Sequence, residues 1–117
     1  KLMRYLLYET EKGDKMLISK NQNEEYGYVP SNPVLLNGYE DIQHFFGELH
    51  TEKGCTVTYR RIGSTFEAQS NHMIDVFEVS GDNGNKLLYL DVYGDDQFKA
   101  PKGYKLAPKI NPSKKDR

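Results

Sequence analysis

Tryptophan is absent from this 117-residue chain, and cysteine occurs once. A single thiol, Cys55, excludes an internal disulfide framework and any cysteine-rich zinc site. No apolar run approaches the roughly 20 residues that a membrane-spanning helix needs, so no membrane is expected among the partners. Secretory features are missing too: residues 1–8 are short and lead straight into a strand-like pattern. Cytoplasmic localisation is the corresponding expectation. Lys1 and Leu2 precede a Met3 that opens MRYLLYE, which reads as two vector-derived residues before a native start; removal of an N-terminal leader is the competing reading.

What is present is aromatic and charged. Nine Tyr and five Phe supply large side chains for a core, and the length suits one domain rather than two. The net charge of −1 conceals an asymmetry. Residues 1–98 carry nine Lys/Arg against sixteen Asp/Glu, and residues 99–117 carry seven against one. An acidic body argues against nucleic acid as a partner, because phosphate contacts need clustered Lys and Arg. The expected organisation is therefore a single domain over 1–108, followed by a basic, disordered tail over 109–117.

Periodicity supplies the elements. Residues 3–9 and 15–20 flank a turn at 10–14, where Gly13 suits a hairpin. Residues 27–38 hold two prolines and read as an irregular crossing whose Val34–Leu36 stretch tucks against a sheet. A helix follows, with Asn37 as cap, Glu40 completing a capping box, and Tyr39, Ile42, Phe45, Phe46 and Leu49 forming one apolar stripe closed by Gly54. Strands are expected over 55–62, 73–80 and 86–93, with a loop at 63–71 and a five-residue hairpin loop, GDNGN, at 81–85. The order β-β-α-β-β-β defines a two-layer α+β fold: a mostly antiparallel sheet of about five strands with one helix packed on one face.

Pairing Ser80 with Lys86 across that loop puts Ile74 and Val76 opposite Val92 and Leu90, beneath the helix. The other face then carries Asp75, Phe77, Tyr89, Asp91 and Tyr93, with Asp75 directly across from Asp91. Facing carboxylates repel, so this register calls for compensation. Arg60 or Arg61 bridging Asp75 and Asp91 is one form of it; a cation or a shared proton are others. An odd register puts the two Asp on opposite faces instead. His72 lies close enough in sequence to join the site. His44 and His50 share the helix six residues apart, which is wrong for joint ligation. No third ligand converges, so no metal, no cofactor and no catalytic residue is assigned.

A single-stranded nucleic-acid platform is disfavoured on the aromatic face, because Asp75 and Asp91 would repel phosphates, and two readings remain. Either the segment holding Phe98, Pro101, Tyr104 and Leu106 folds back and covers it, or Asp75, Phe77, Tyr89, Asp91 and Tyr93 form a protein interface. The basic tail either docks on the acidic body or steers a partner. With no phosphate loop and no nucleophile elbow, the chain reads as a small bacterial-type, non-enzymatic protein-binding module, immunity- or inhibitor-like, its oligomeric state open. A ligand-binding domain or enzyme built on Asp75 and Asp91 is the alternative.

Overall fold

The computed structural model describes residues 24–107 in full and the backbone of two earlier strands. In chain order the elements are β1 (Tyr5–Glu9), β2 (Lys15–Ser19), β3 (Val34–Leu35), α1 (Glu40–Glu48), β4 (Leu49–Thr51), β5 (Thr58–Glu67), β6 (His72–Gly81), β7 (Gly84–Asp91) and β8 (Tyr104–Leu106). The architecture is the expected α+β class, with one helix among the described residues and a mostly antiparallel, mixed sheet. β1 and β2 pair as an antiparallel hairpin, Tyr5 opposite Ser19. Its turn, the conformation of Gly13 and the tail at 109–117 lie outside the described residues.

The central sheet runs β3-β7-β6-β5. β5, β6 and β7 form a long antiparallel meander, while Val34 and Leu35 add a short parallel strand against Leu90 and Asp91. The meander departs from the sequence pattern in two places. Residues 63–67, expected in a loop, continue β5, because a bulge at Ile62 absorbs one residue and lets Gly63 pair with Val76. The GDNGN stretch is a two-residue turn, with Gly81 opposite Gly84 and Ser80 opposite Asn85 rather than Lys86. Gly84 takes φ +98, a left-handed conformation that a glycine adopts without strain and that a tight hairpin needs.

The helix is shorter than its sequence pattern. Tyr39, not Asn37, occupies the cap position and makes no side-chain cap bond. Asp41 instead accepts a hydrogen bond from the Asn37 N–H at 2.8 Å, so a first-turn carboxylate secures the entrance. Leu49 is already extended, and β4 pairs with β8, Leu49 opposite Leu106. His50 therefore sits on a strand, not on the helix. Pairing with a segment more than fifty residues away replaces the last helical turn, which local periodicity cannot register.

One core results. Phe45, Phe46 and Leu49 meet Phe77, Val79, Leu88, Leu90 and Val92 from the sheet, with Tyr26, Val34, Leu36 and Tyr104 closing the edges. The C-terminal segment joins this same side: Phe98 packs edge-on to Phe45 at 5.4 Å, and Tyr104 is buried in the cluster. It is ordered over 94–107 and lies on the helix-bearing side of the sheet. Tyr26 ties the pieces together, its buried hydroxyl accepting from the N–H groups of Lys99 and Leu35. Gly27 follows with φ +84, and a Cβ there would lie 2.9 Å from both Pro101 and Val34. That close approach lets its carbonyl accept from Tyr89 of β7.

Phe45 is fully buried and touches both Phe46 and Phe98. Phe45→Ala is expected to lower unfolding free energy by about 3–5 kcal/mol. Urea titration reads this as a lower midpoint with an unchanged slope.

Candidate functional site

The one-residue shift in register redistributes the side chains named from sequence. Asp75 lies opposite Leu90, on the face that carries Phe77 and Val79. Asp91 lies beside Leu35 in the parallel pairing and faces the other way. The two carboxylates do not confront each other, and each has its own side-chain partner. Arg61 donates from Nε and Nη2 to Asp75 Oδ1, at 3.3 and 3.1 Å. Arg60 lies on the opposite face and forks onto Glu78 Oε1, at 2.9 and 2.8 Å. The cluster of Arg60, Arg61, Asp75 and Asp91 is thus divided in two by the sheet. Phe77 is 5% exposed and belongs to the core, and Tyr89 is half-buried. Of the five candidate interface residues, Tyr93 alone is exposed.

Asp91 is nevertheless the centre of a small constellation. Its side chain is buried, and Oδ2 lies 2.7 Å from His72 Nδ1. An ionised carboxylate only accepts, which assigns the proton of this pair to Nδ1. Oδ1 accepts from the Tyr93 N–H at 2.9 Å. One carboxylate therefore fixes both the imidazole of His72 and the backbone that presents Tyr93. The Tyr93 ring stands edge-on to His72 at 5.6 Å and to Tyr39 at 6.2 Å, and the two phenol oxygens are 3.1 Å apart. Their mutual hydrogen bond raises the pKa of Tyr39. The carboxylate of Asp75 and the guanidinium of Arg61 act on the same hydroxyl, in opposite senses.

The approach to His72 is built by Glu67. Its carboxylate accepts from the N–H groups of Gln69 and Ser70, at 3.0 and 2.7 Å, and the Ser70 hydroxyl accepts from His72 N–H. Burial works to raise the Glu67 pKa, but these bonds and the nearby His72 outweigh it and leave it lowered. Asn71 completes the turn with φ +64, a conformation that asparagine tolerates better than most residues. Sequence pattern alone does not place Tyr39, Glu67 or the Asp91–His72 bond in a site. Only Asp91 and His72 carried a signal, and using it required the right register.

The opposite end of the β6–β7 hairpin holds a cleft of about 590 Å³, lined by Tyr28, Thr51, Lys53, Asp82, Lys86 and Lys102 among others. Its charges compensate internally: Lys102 Nζ is 3.1 Å from Glu24. Hydrogen bonding to the Thr51 side chain holds the Asp82 carboxyl below its usual range, with Cys55 and Lys53 acting in the same sense. Among the described residues, no three His, Cys, Asp or Glu side chains converge as a metal site would require. No described helix is long and apolar enough to cross a membrane. No protein-family model matches the chain, and neither curated proteins nor solved structures show a significant similarity to it.

Two outcomes follow from this geometry. Asp91→Ala leaves His72 Nδ1 and the Tyr93 N–H without their acceptor, and is expected to cost about 1–3 kcal/mol in urea unfolding. Asp91→Asn, which keeps an accepting oxygen, costs less. At the cleft, burial, aided by Tyr104, pushes the Tyr28 phenol from 10.0 up to about 12. The native state therefore holds this proton more tightly than the unfolded chain does. The associated stability is fully present below pH 10 and is lost as pH rises through 12. Spectrophotometric titration of the tyrosines is expected to show a late phenolate step that Tyr28→Phe removes.

Proposed function

We propose that this protein is a non-enzymatic protein-binding module, of the small immunity or inhibitor type, whose contact surface is the ledge formed by Tyr39, Tyr93, His72 and Arg61. The observation that carries this reading is the locked tyrosine pair. Tyr39 and Tyr93 are 61% and 54% exposed, yet each hydroxyl is held by the other and Tyr93 is anchored from below by Asp91. Rigid, exposed aromatic groups beside an arginine have the composition of an interface hot spot, because little side-chain entropy is lost on binding. The buried carboxylates beneath them, Asp75 and Asp91, act as supports rather than as reacting groups.

Charge indicates the kind of partner. The excess of Asp and Glu over residues 1–98 favours a basic protein surface, where complementarity accelerates encounter. A reaction resting on a shared proton between Asp75 and Asp91 lacks its geometry, since the sheet separates them.

The experiment is capture by the tagged full chain from nuclease-treated source cells, followed by titration of the recovered protein. Tyr39→Ala with Tyr93→Ala is expected to weaken binding by about 100-fold, the loss of one or two hot-spot side chains, with an unaltered circular dichroism spectrum. A steep fall in association rate with added salt is expected alongside it. Unchanged affinity in the double variant would remove the ledge as the contact surface. Recovery of nucleic acid or of a small ligand instead of a protein would remove the reading altogether.

A further inference from the structure

The outer strand of the central sheet points to a second interaction, at a surface that shares Arg61 with the tyrosine ledge. β5 is ten residues long, lies at the edge of the β3-β7-β6-β5 sheet, and is paired only with β6 among the described residues. No residue along it is buried, and Ile62 and Phe66 are 46% and 56% exposed. Natural edge strands are usually blunted by charged side chains, above all lysine, by proline or by bulges, because unpaired N–H and C=O groups template further pairing. The sequence TYRRIGSTFE has neither lysine nor proline. Its two arginines are neutralised within the chain by Glu78 and Asp75.

The bulge is the remaining irregularity, and it makes the strand complementary to itself. An unbulged strand pairs antiparallel with its own copy only between positions an even number apart, because side chains alternate between faces. The extra residue at Ile62 inverts that rule for positions on either side of it. Tyr59 and Arg61, opposite Val79 and Phe77, lie on the same face as Ser64 and Phe66, opposite Asp75 and Met73. Arg60 shares the other face with Thr65 and Glu67, opposite Glu78, Ile74 and His72. A two-fold axis between Ile62 and Gly63 therefore brings all ten residues into register with faces matched. Tyr59 then meets Phe66 of the second copy, Arg60 meets Thr65 and Arg61 meets Ser64. Glu67 of the second copy falls diagonally beside Arg60, an attractive placement repeated by symmetry.

We infer that two copies of this chain associate through antiparallel β5–β5 pairing about an axis between Ile62 and Gly63, giving a continuous eight-stranded sheet. Two aromatic Tyr59–Phe66 pairs and the apolar side chains of Ile62 cover the junction. Such an isologous contact closes on itself, which turns an aggregation-prone edge into a defined dimer.

Light scattering on the eluting full chain tests the association: a particle of about 27 kDa, twice the 13.5 kDa of one chain, is expected. Ile62→Lys, at the axis, is expected to raise the dimer dissociation constant by about 100-fold or more through like-charge juxtaposition. Far-UV circular dichroism confirms that the variant folds. Register is tested by cysteine pairing in a Cys55→Ser background, oxidised with copper–phenanthroline. Arg60→Cys combined with Thr65→Cys is expected to cross-link two chains. Arg60→Cys alone is expected to leave them separate, since the two positions 60 lie five residues apart along the paired strands, about 16 Å, beyond disulfide reach. A monomer at tens of micromolar, a folded Ile62→Lys protein that remains dimeric, or cross-linking by Arg60→Cys alone would each overturn the proposal.

Discussion

The register of the β6–β7 hairpin is the constraint on which the rest of the molecule depends. Closing it with two residues between Gly81 and Gly84, rather than five, sets Asp75 against Leu90 and turns Asp91 to the other face. Side chains on a strand alternate with a period of two, so a single-residue change in pairing moves a whole set of groups across the sheet. The helix, the parallel strand β3 and the C-terminal segment all pack against surfaces which that register defines.

The charged groups obey the same constraint. Confronted across one face, Asp75 and Asp91 would have repelled each other and required a cation or a shared proton. On opposite faces each finds a local partner: a guanidinium that remains half in water for Asp75, and an imidazole at 2.7 Å for Asp91. Burying a carboxylate is costly unless its oxygens are hydrogen-bonded, and Asp91 meets that condition with both of its oxygens. A single buried carboxylate thereby becomes a fixed support for exposed aromatic side chains. Preorganised surface of this kind favours recognition over chemistry.

The two ends of the sheet and its outer edge divide the remaining surface. One end carries the tyrosine ledge, the other a polar cleft whose lysines and carboxylates balance. The edge carries β5, with no residue buried and one bulge interrupting it. Both proposed contacts use regular elements rather than mobile loops, which lowers the entropy lost on association.

From the sequence alone came the α+β class, the first hairpin, the helix with its Phe45–Phe46 centre and the meander that follows it. Each depends on patterning within a few neighbouring residues, where apolar spacing and turn residues act directly. The tucking of Val34–Leu36 was legible for the same reason, although its parallel pairing with β7 was not. Tertiary structure decided the rest. Leu49 and His50 left the helix because β8 offered a strand partner, and β5 ran on through Gly63 because β6 offered a ladder. Phe77 went to the core once the hairpin register was set, whereas Tyr39, expected in the apolar stripe of the helix, caps it and is exposed. Local pattern states which residues are apolar, but which face they occupy depends on partners distant in the chain. For a strand, that choice turns on one residue of register.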